Sequence, residues 1–168
     1  MTRSLVATIL VVMVGASALG VAQESRTPSV LVPAADLLAA LKKAGEMPVV
    51  DTNARVVQAG PNQVLVNIAR RTQVGMPANA AVVHNSLSEV YYVTEGAGTL
   101  VTGGTLTSPT AEANDTGGNI RGTGIQNGES RRIAVGDVVV IPAGTPHAFS
   151  AIEGTLVYLN VRVNPKIR

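Results

Sequence analysis

Hydrophobic and polar positions follow three successive patterns along the chain. Residues 5–22 run without a charge, residues 34–45 place Leu37, Leu38 and Leu41 at helical spacing, and from Val49 onward apolar residues come in short runs divided by glycine, asparagine or proline. Pro33 suits the entrance of the middle segment, and Lys42-Lys43 followed by Gly45 suits its exit, so one short helix is expected there. A helix of that length must pack on something larger. Ahead of it, residues 29–32 read as a short extended run. The later runs are rich in Val, Ile, Thr and Tyr and read as strands over residues 49–50, 55–57, 63–71, 80–84, 89–94, 98–102, 120–125, 130–133, 137–141, 147–151 and 155–163. Many short strands with one helix at the edge predict an all-β sandwich or barrel. Residues 107–119, with Pro109 and Gly117-Gly118 among small polar residues, read as a loop of the kind that shapes a pocket at a barrel rim. Residues 64–69 are apolar on both faces, a pattern compatible with a buried sheet in a homodimer.

Composition narrows the chemistry. With 168 residues, 46% hydrophobic and 14% charged, the chain has apolar material for one packed domain and not for two. Aromatic residues are 2% and tryptophan is absent, so the core is expected to be aliphatic. Thirteen Lys and Arg oppose eleven Asp and Glu, for a net charge of +2, and no basic stripe interleaved with aromatics exists, so nucleic acid is not an expected partner. The absence of cysteine removes disulfides, thiolate metal sites and thiol nucleophiles together. Any metal must be held by oxygen and nitrogen.

Arg3 ahead of an uncharged run, with small residues at Gly20 and Ala22, has the form of a secretory signal peptide over residues 1–22. The alternative is an uncleaved anchor, against which the Gly/Ser/Ala-rich second half of the run argues. Cleavage would leave an exported, periplasmic or secreted chain without a membrane segment, made of a strand and helix over residues 23–47 and a barrel over residues 48–168.

The two histidines have recognisable settings. His84 precedes Glu89 and Gly96, and His147 closes the run Gly136, Pro142, Gly144. These spacings resemble the two motifs of the cupin superfamily. Gly136, Pro142, Gly144 and His147 fit the second motif without a gap, while Ala151 stands where asparagine is frequent. His84, Glu89 and Gly96 fit the first motif, whose leading histidine is replaced by Val82. EVYYVTEGAGTLVTGG, IRGTGI and GDVVVIPAGTPHAF are similar to small exported bacterial single-domain cupins.

The resemblance implies a double-stranded β-helix, the jelly-roll barrel of cupins, with His84, Glu89 and His147 as metal ligands. Two imidazoles and a carboxylate suit a divalent transition metal, Fe, Mn, Zn, Ni or Cu, with open positions for a small-molecule ligand. Alternation along the strands predicts that Tyr91 and Val93 face inward with Glu89, and Phe149 and Ala151 with His147. Tyr91 and Phe149 would then wall a substrate pocket, and Tyr91 could serve as acid or base near the metal. Of Arg70 and Arg71 only one can face inward, where it could hold a substrate carboxylate. Three functions follow: a metal-dependent dioxygenase, isomerase or decarboxylase, a non-catalytic binding cupin of the cell envelope, or a metal-free structural barrel.

Overall fold

The computed structural model describes residues 28–75, 80–112 and 118–165, so the expected signal segment lies outside the described residues. Residues 29–32 form no strand, because no neighbouring strand takes up their backbone groups, and Val30 and Leu31 stand exposed. The expected N-terminal strand is therefore corrected to an unpaired approach to helix α1 (Ala34–Lys43). Pro33 precedes the helix in extended conformation, Lys42 and Lys43 occupy its last turn, and Gly45 follows at φ 74°. Leu37 and Leu41 are half-buried, whereas Leu38, about 100° around the helix axis from Leu37, faces solvent.

The helix packs on β1 (Val49–Ala59) and β2 (Asn62–Arg71), which pair antiparallel with a bulge between Asn53 and Arg55. The remaining strands are β3 (Ala81–His84), β4 (Ser88–Thr102), β5 (Thr105–Thr107), β6 (Thr110–Ala111), β7 (Asn119–Gly122), β8 (Gly124–Gln126), β9 (Glu129–Ala134), β10 (Val138–Ile141) and β11 (His147–Pro165). Runs expected as separate strands join into the long β4 and β11. The run at 120–125 instead splits at Thr123, and residues 110–111 of the expected loop pair with β7.

All pairing is antiparallel, and β4 and β11 build the jelly roll by serving both of its faces. On one face the order is β1, β2, the C-terminal half of β11, the N-terminal half of β4, then β10. On the other it is β9, the C-terminal half of β4, the N-terminal half of β11, then β3, β7 and β6. The strands β5 and β8 form a separate two-stranded ribbon. β4 crosses between faces at Gly96 (φ 69°), where a Cβ would collide with the Thr155 carbonyl. β11 crosses at Gly154 (φ 70°), inside the irregular stretch between Glu153 and Val157.

Between the faces lies a core of Ala69, Val93, Leu100, Ile133, Ile141 and Leu156 together with Tyr91, Phe149 and Tyr158. β2 is interior to its sheet, with β1 and β11 as neighbours and the helix packed against it. Of residues 64–69, Asn67, Ile68 and Ala69 are buried within the chain and Val64, Leu65 and Val66 are half-buried.

Candidate metal centre

His84 ends β3, Glu89 is the second residue of β4 and His147 begins β11, and the fold brings all three to one place. Each is buried, and one ligand atom from each lies within 4.8 Å of the others. Pro142 follows the last residue of β10, and Gly144 at φ 79° turns the chain so that β11 opens with His147 directed inward. Val82, which stands where a fourth ligand would come, is the Cα partner of His147 and lines the same cleft as His84.

The imidazoles are fixed from behind. Nδ1 of His84 donates to Asn119 Oδ1 at 2.6 Å, and Nδ1 of His147 donates to the Thr145 carbonyl at 3.0 Å. With Nδ1–H committed to oxygen acceptors, each ring turns its Nε2 to the interior, free to offer a lone pair to a metal ion. Those nitrogens meet Glu89 Oε2, at 3.0 Å from His147 Nε2 and 3.8 Å from His84 Nε2. Three electron-rich atoms facing one another across these distances need a cation between them, either a proton or a metal ion. Ligands bonded at about 2.1 Å stand about 3.0 Å apart at right angles and about 3.4 Å apart in a tetrahedron, so both histidine–Glu89 separations lie within a few tenths of an ångström of those for a shared transition-metal ion.

Glu89 is 1% exposed and ionised. Burial pushes its carboxyl upward, but the hydrogen bond and charge of His147, then Arg162 and His84, outweigh burial and hold it well below the ordinary carboxylate range. Its Oε1 accepts from Arg162 Nε at 2.8 Å and Asn160 Nδ2 at 3.0 Å. Both donors also reach Asp51 Oδ2, at 2.6 Å from Arg162 and 3.1 Å from Asn160, while Asn67 donates to Asp51 Oδ1. One cation and two amides thus hold two carboxylates in place, leaving Oε2 of Glu89 to the histidines. Burial lowers the His84 pKa against the opposing pull of its Asn119 hydrogen bond and Glu89, which favours the neutral, metal-ligating ring.

Three of the chain's four Tyr and Phe residues gather here, the exception being Tyr92. Tyr91 packs against Tyr158 at a 4.6 Å centroid separation and sets an edge against His147, and Phe149 packs on Tyr158. The Tyr91 hydroxyl points to Glu89 Oε2 at 3.5 Å, and burial raises its pKa well above the ordinary value, so it carries its proton at neutral pH. Tyr91, Phe149 and both histidines line a cleft of about 800 Å³, with Val82, Asp51, Arg71, Arg121 and Arg162 also in its wall.

Alternation holds along β4, where Glu89, Tyr91 and Val93 are buried and Tyr92 and Thr94 face out. It fails along β11. A bulge between Phe149 and Ala151 turns Ala151 to the surface, correcting its expected inward position. That bulge moves the inward set from odd to even positions, and the set stays even beyond the irregular stretch at residues 153–157, where Tyr158 and Asn160 are buried and Arg162 joins them toward Glu89. Asp51, Asn119, Asn160 and Arg162 escaped the sequence reading. Polar side chains at alternate positions 160 and 162 of an otherwise apolar strand were the signal available for two of them.

Residues 43–166 match a family model described as Cupin. No curated protein sequence matches the chain. Solved structures similar to it include BH2720 from Bacillus halodurans, 17% identical, covering 84% of this chain and 86% of that one at a TM-score of 0.46. TT1209 from Thermus thermophilus is 19% identical, with 74% and 93% covered and a TM-score of 0.45. KdgF from Halomonas sp. is 17% identical, with 73% and 85% covered and a TM-score of 0.44. With most of its length matched and both histidine motifs seated in a jelly-roll barrel, this chain belongs to the cupin family.

Proposed function

We propose that this cupin is an exported, metal-dependent protein of the cell envelope whose His84, Glu89 and His147 centre binds or acts on a small polar or carboxylated molecule in the adjoining cleft. The supporting observation is the convergence of two Nε2 lone pairs and an ionised carboxylate within 4.8 Å, all buried, with both Nδ1 atoms engaged elsewhere. When bound, an Fe, Mn, Zn, Ni or Cu ion supplies Lewis acidity and, for a redox-active metal, access to O₂ chemistry, which suits dioxygenation, isomerisation or decarboxylation. The chain's own groups do the rest. Arg162 and Asn160 keep Glu89 ionised and oriented, Asn119 and the Thr145 carbonyl hold the imidazoles, and Phe149 and Tyr91 exclude water from one wall. Tyr91 keeps its proton and is suited to donate a hydrogen bond rather than to act as a base.

A non-catalytic binding role has one observation in its favour. Asp51, the one carboxylate among the described residues lining the cleft, already accepts from Asn67, Asn160 and Arg162, so no unengaged carboxylate base stands there. Elemental mass spectrometry on the full chain, purified without a metal-affinity tag beside His147→Ala, tests the metal reading. The expected result is near-stoichiometric transition metal in the parent and its loss in the variant. Absence of metal in both, even after incubation with Fe(II), Mn(II), Zn(II), Ni(II) and Cu(II), overturns it.

A further inference from the structure

Among the described residues, arginine pairing with carboxylates has one exception, and it lies in the cleft. Among the described residues, Arg55 pairs with Asp36, Arg70 with Glu46, Arg121 with Glu112, Arg131 with Glu129, Arg132 with Glu153, and Arg162 with Asp51 and Glu89. Arg71 has no carboxylate within 4 Å among them, although it is half-buried at the end of β2. Its Nε donates to the Tyr158 hydroxyl at 2.9 Å, and its guanidinium carbon lies 5.1 Å from the centre of the Phe149 ring. These contacts fix the plane of the fork without neutralising it. Among the described residues its two terminal nitrogens have no hydrogen-bond acceptor, and the side chain forms part of the wall that also holds His84 and His147. Burial disfavours a bare cation, so a partly desolvated guanidinium held flat by two neutral aromatic groups is incomplete without an anion.

We infer that Arg71 is the anchor for a carboxylate on the ligand of this cleft, gripped by the terminal nitrogens of the guanidinium, while a second oxygen of the same molecule reaches the centre formed by His84, Glu89 and His147. Phe149, beneath the guanidinium, stands two residues from His147 on the same strand, a step of about 7 Å. That spacing selects a short molecule with oxygen donors at both ends, such as a hydroxy acid, an oxo acid or a dicarboxylate. The fork geometry suits a planar carboxylate better than an alcohol or an amide. The second-donor half of this inference rests on the metal reading above, whereas the Arg71 half stands without it.

Succinate and its uncharged counterpart succinamide are the probes, titrated calorimetrically into the full chain both with chelator and with added zinc, alongside metal content and thermal melting. The expected result is binding of succinate and not of succinamide, tighter with zinc. Arg71→Gln should weaken succinate binding by about tenfold to a hundredfold with metal content unchanged. Arg71→Lys, which keeps the charge and loses the fork, should fall between, and it carries the test if Arg71→Gln melts at a much lower temperature. Equal binding of both probes, or equal succinate affinity in the parent and in Arg71→Gln, overturns the assignment, as does transfer of the loss to Arg121→Gln. If the protein takes up no metal, the zinc dependence disappears but the Arg71 dependence remains, so the two readings fail separately.

Discussion

Replacing Glu89 by glutamine tests whether the buried carboxylate stabilises this fold or burdens it. Glutamine keeps the shape: its Oε1 can accept from Arg162 Nε and Asn160 Nδ2, which stand 2.8 and 3.0 Å from Glu89 Oε1 in the parent, and its amide can donate to His147 Nε2. What is lost is the charge. The ion pair with Arg162 becomes a hydrogen bond from a cation to a neutral oxygen and the charge-assisted bond from Asn160 becomes a neutral one, a difference of about 1 kcal/mol each, or about 2 kcal/mol in total. Stripping one partner from a buried ion pair costs about 3–5 kcal/mol when the other charge is left alone. Here Arg162 keeps Asp51 at 2.6 Å, so the smaller figure applies. For a body of this size, about 2 kcal/mol lowers the melting temperature by about 6–10 °C.

The assay is thermal unfolding of the parent and Glu89→Gln at pH 7 with chelator, which removes any contribution from metal binding. The sign with pH follows from the direction of the shift. The folded carboxyl titrates below its unfolded value, so its stabilisation is fully present above about pH 4.3 and is lost as pH falls toward the folded pKa. The gap between the two proteins should narrow steadily below about pH 4.3. Equal or higher melting temperature for Glu89→Gln at pH 7 would refute the reasoning, showing that desolvation of the carboxylate outweighs its partners.

Other perturbations separate bending, coordination and packing. Gly96→Ala should destabilise by more than the ~1–3 kcal/mol of left-handed strain alone, because its Cβ lands on the Thr155 carbonyl, whereas Gly154→Ala meets nothing within 4 Å and should show strain only; denaturant unfolding compares them. Val82→His places an imidazole opposite His147 and should tighten zinc binding by about tenfold or more, read by competition with a chelating dye; unchanged affinity would mean that β3 cannot bring position 82 to the ion. Because burial lowers the His84 pKa, metal-free protein should lose stability as pH falls from about 6.5 through the folded value, a dependence that His84→Gln should reduce in denaturant titrations. Leu156→Ala, at a position with no exposure, should cost about 2–5 kcal/mol while leaving metal content unchanged, which separates core from site.

Local patterning carried the element types and the ligands. Strand runs, the helix between Pro33 and Gly45, and the turn glycines at 96, 136 and 144 depend on short-range sterics, and all three glycines adopt positive φ. The resemblance of the stretches around His84, Glu89 and His147 to the cupin motifs named three residues that the fold does bring together. What the chain order alone could not supply was facing across bulges and pairing across distance. An extra residue at Ser150 moves the inward side chains of β11 from odd to even positions, and nothing in an alternating pattern marks where parity breaks. Arg71 rather than Arg70 faces the cleft because β2 pairs with β11 in the register that sets Arg71 opposite Leu156. The link from Asp51 through Asn160 and Arg162 to Glu89 joins residues more than seventy positions apart in sequence, and only the closed barrel brings them into hydrogen-bond contact. Sequence determined which groups were available as ligands; tertiary structure decided which of them share a buried space and which charge holds Glu89 ionised, because desolvation and Coulomb energy depend on three-dimensional distance.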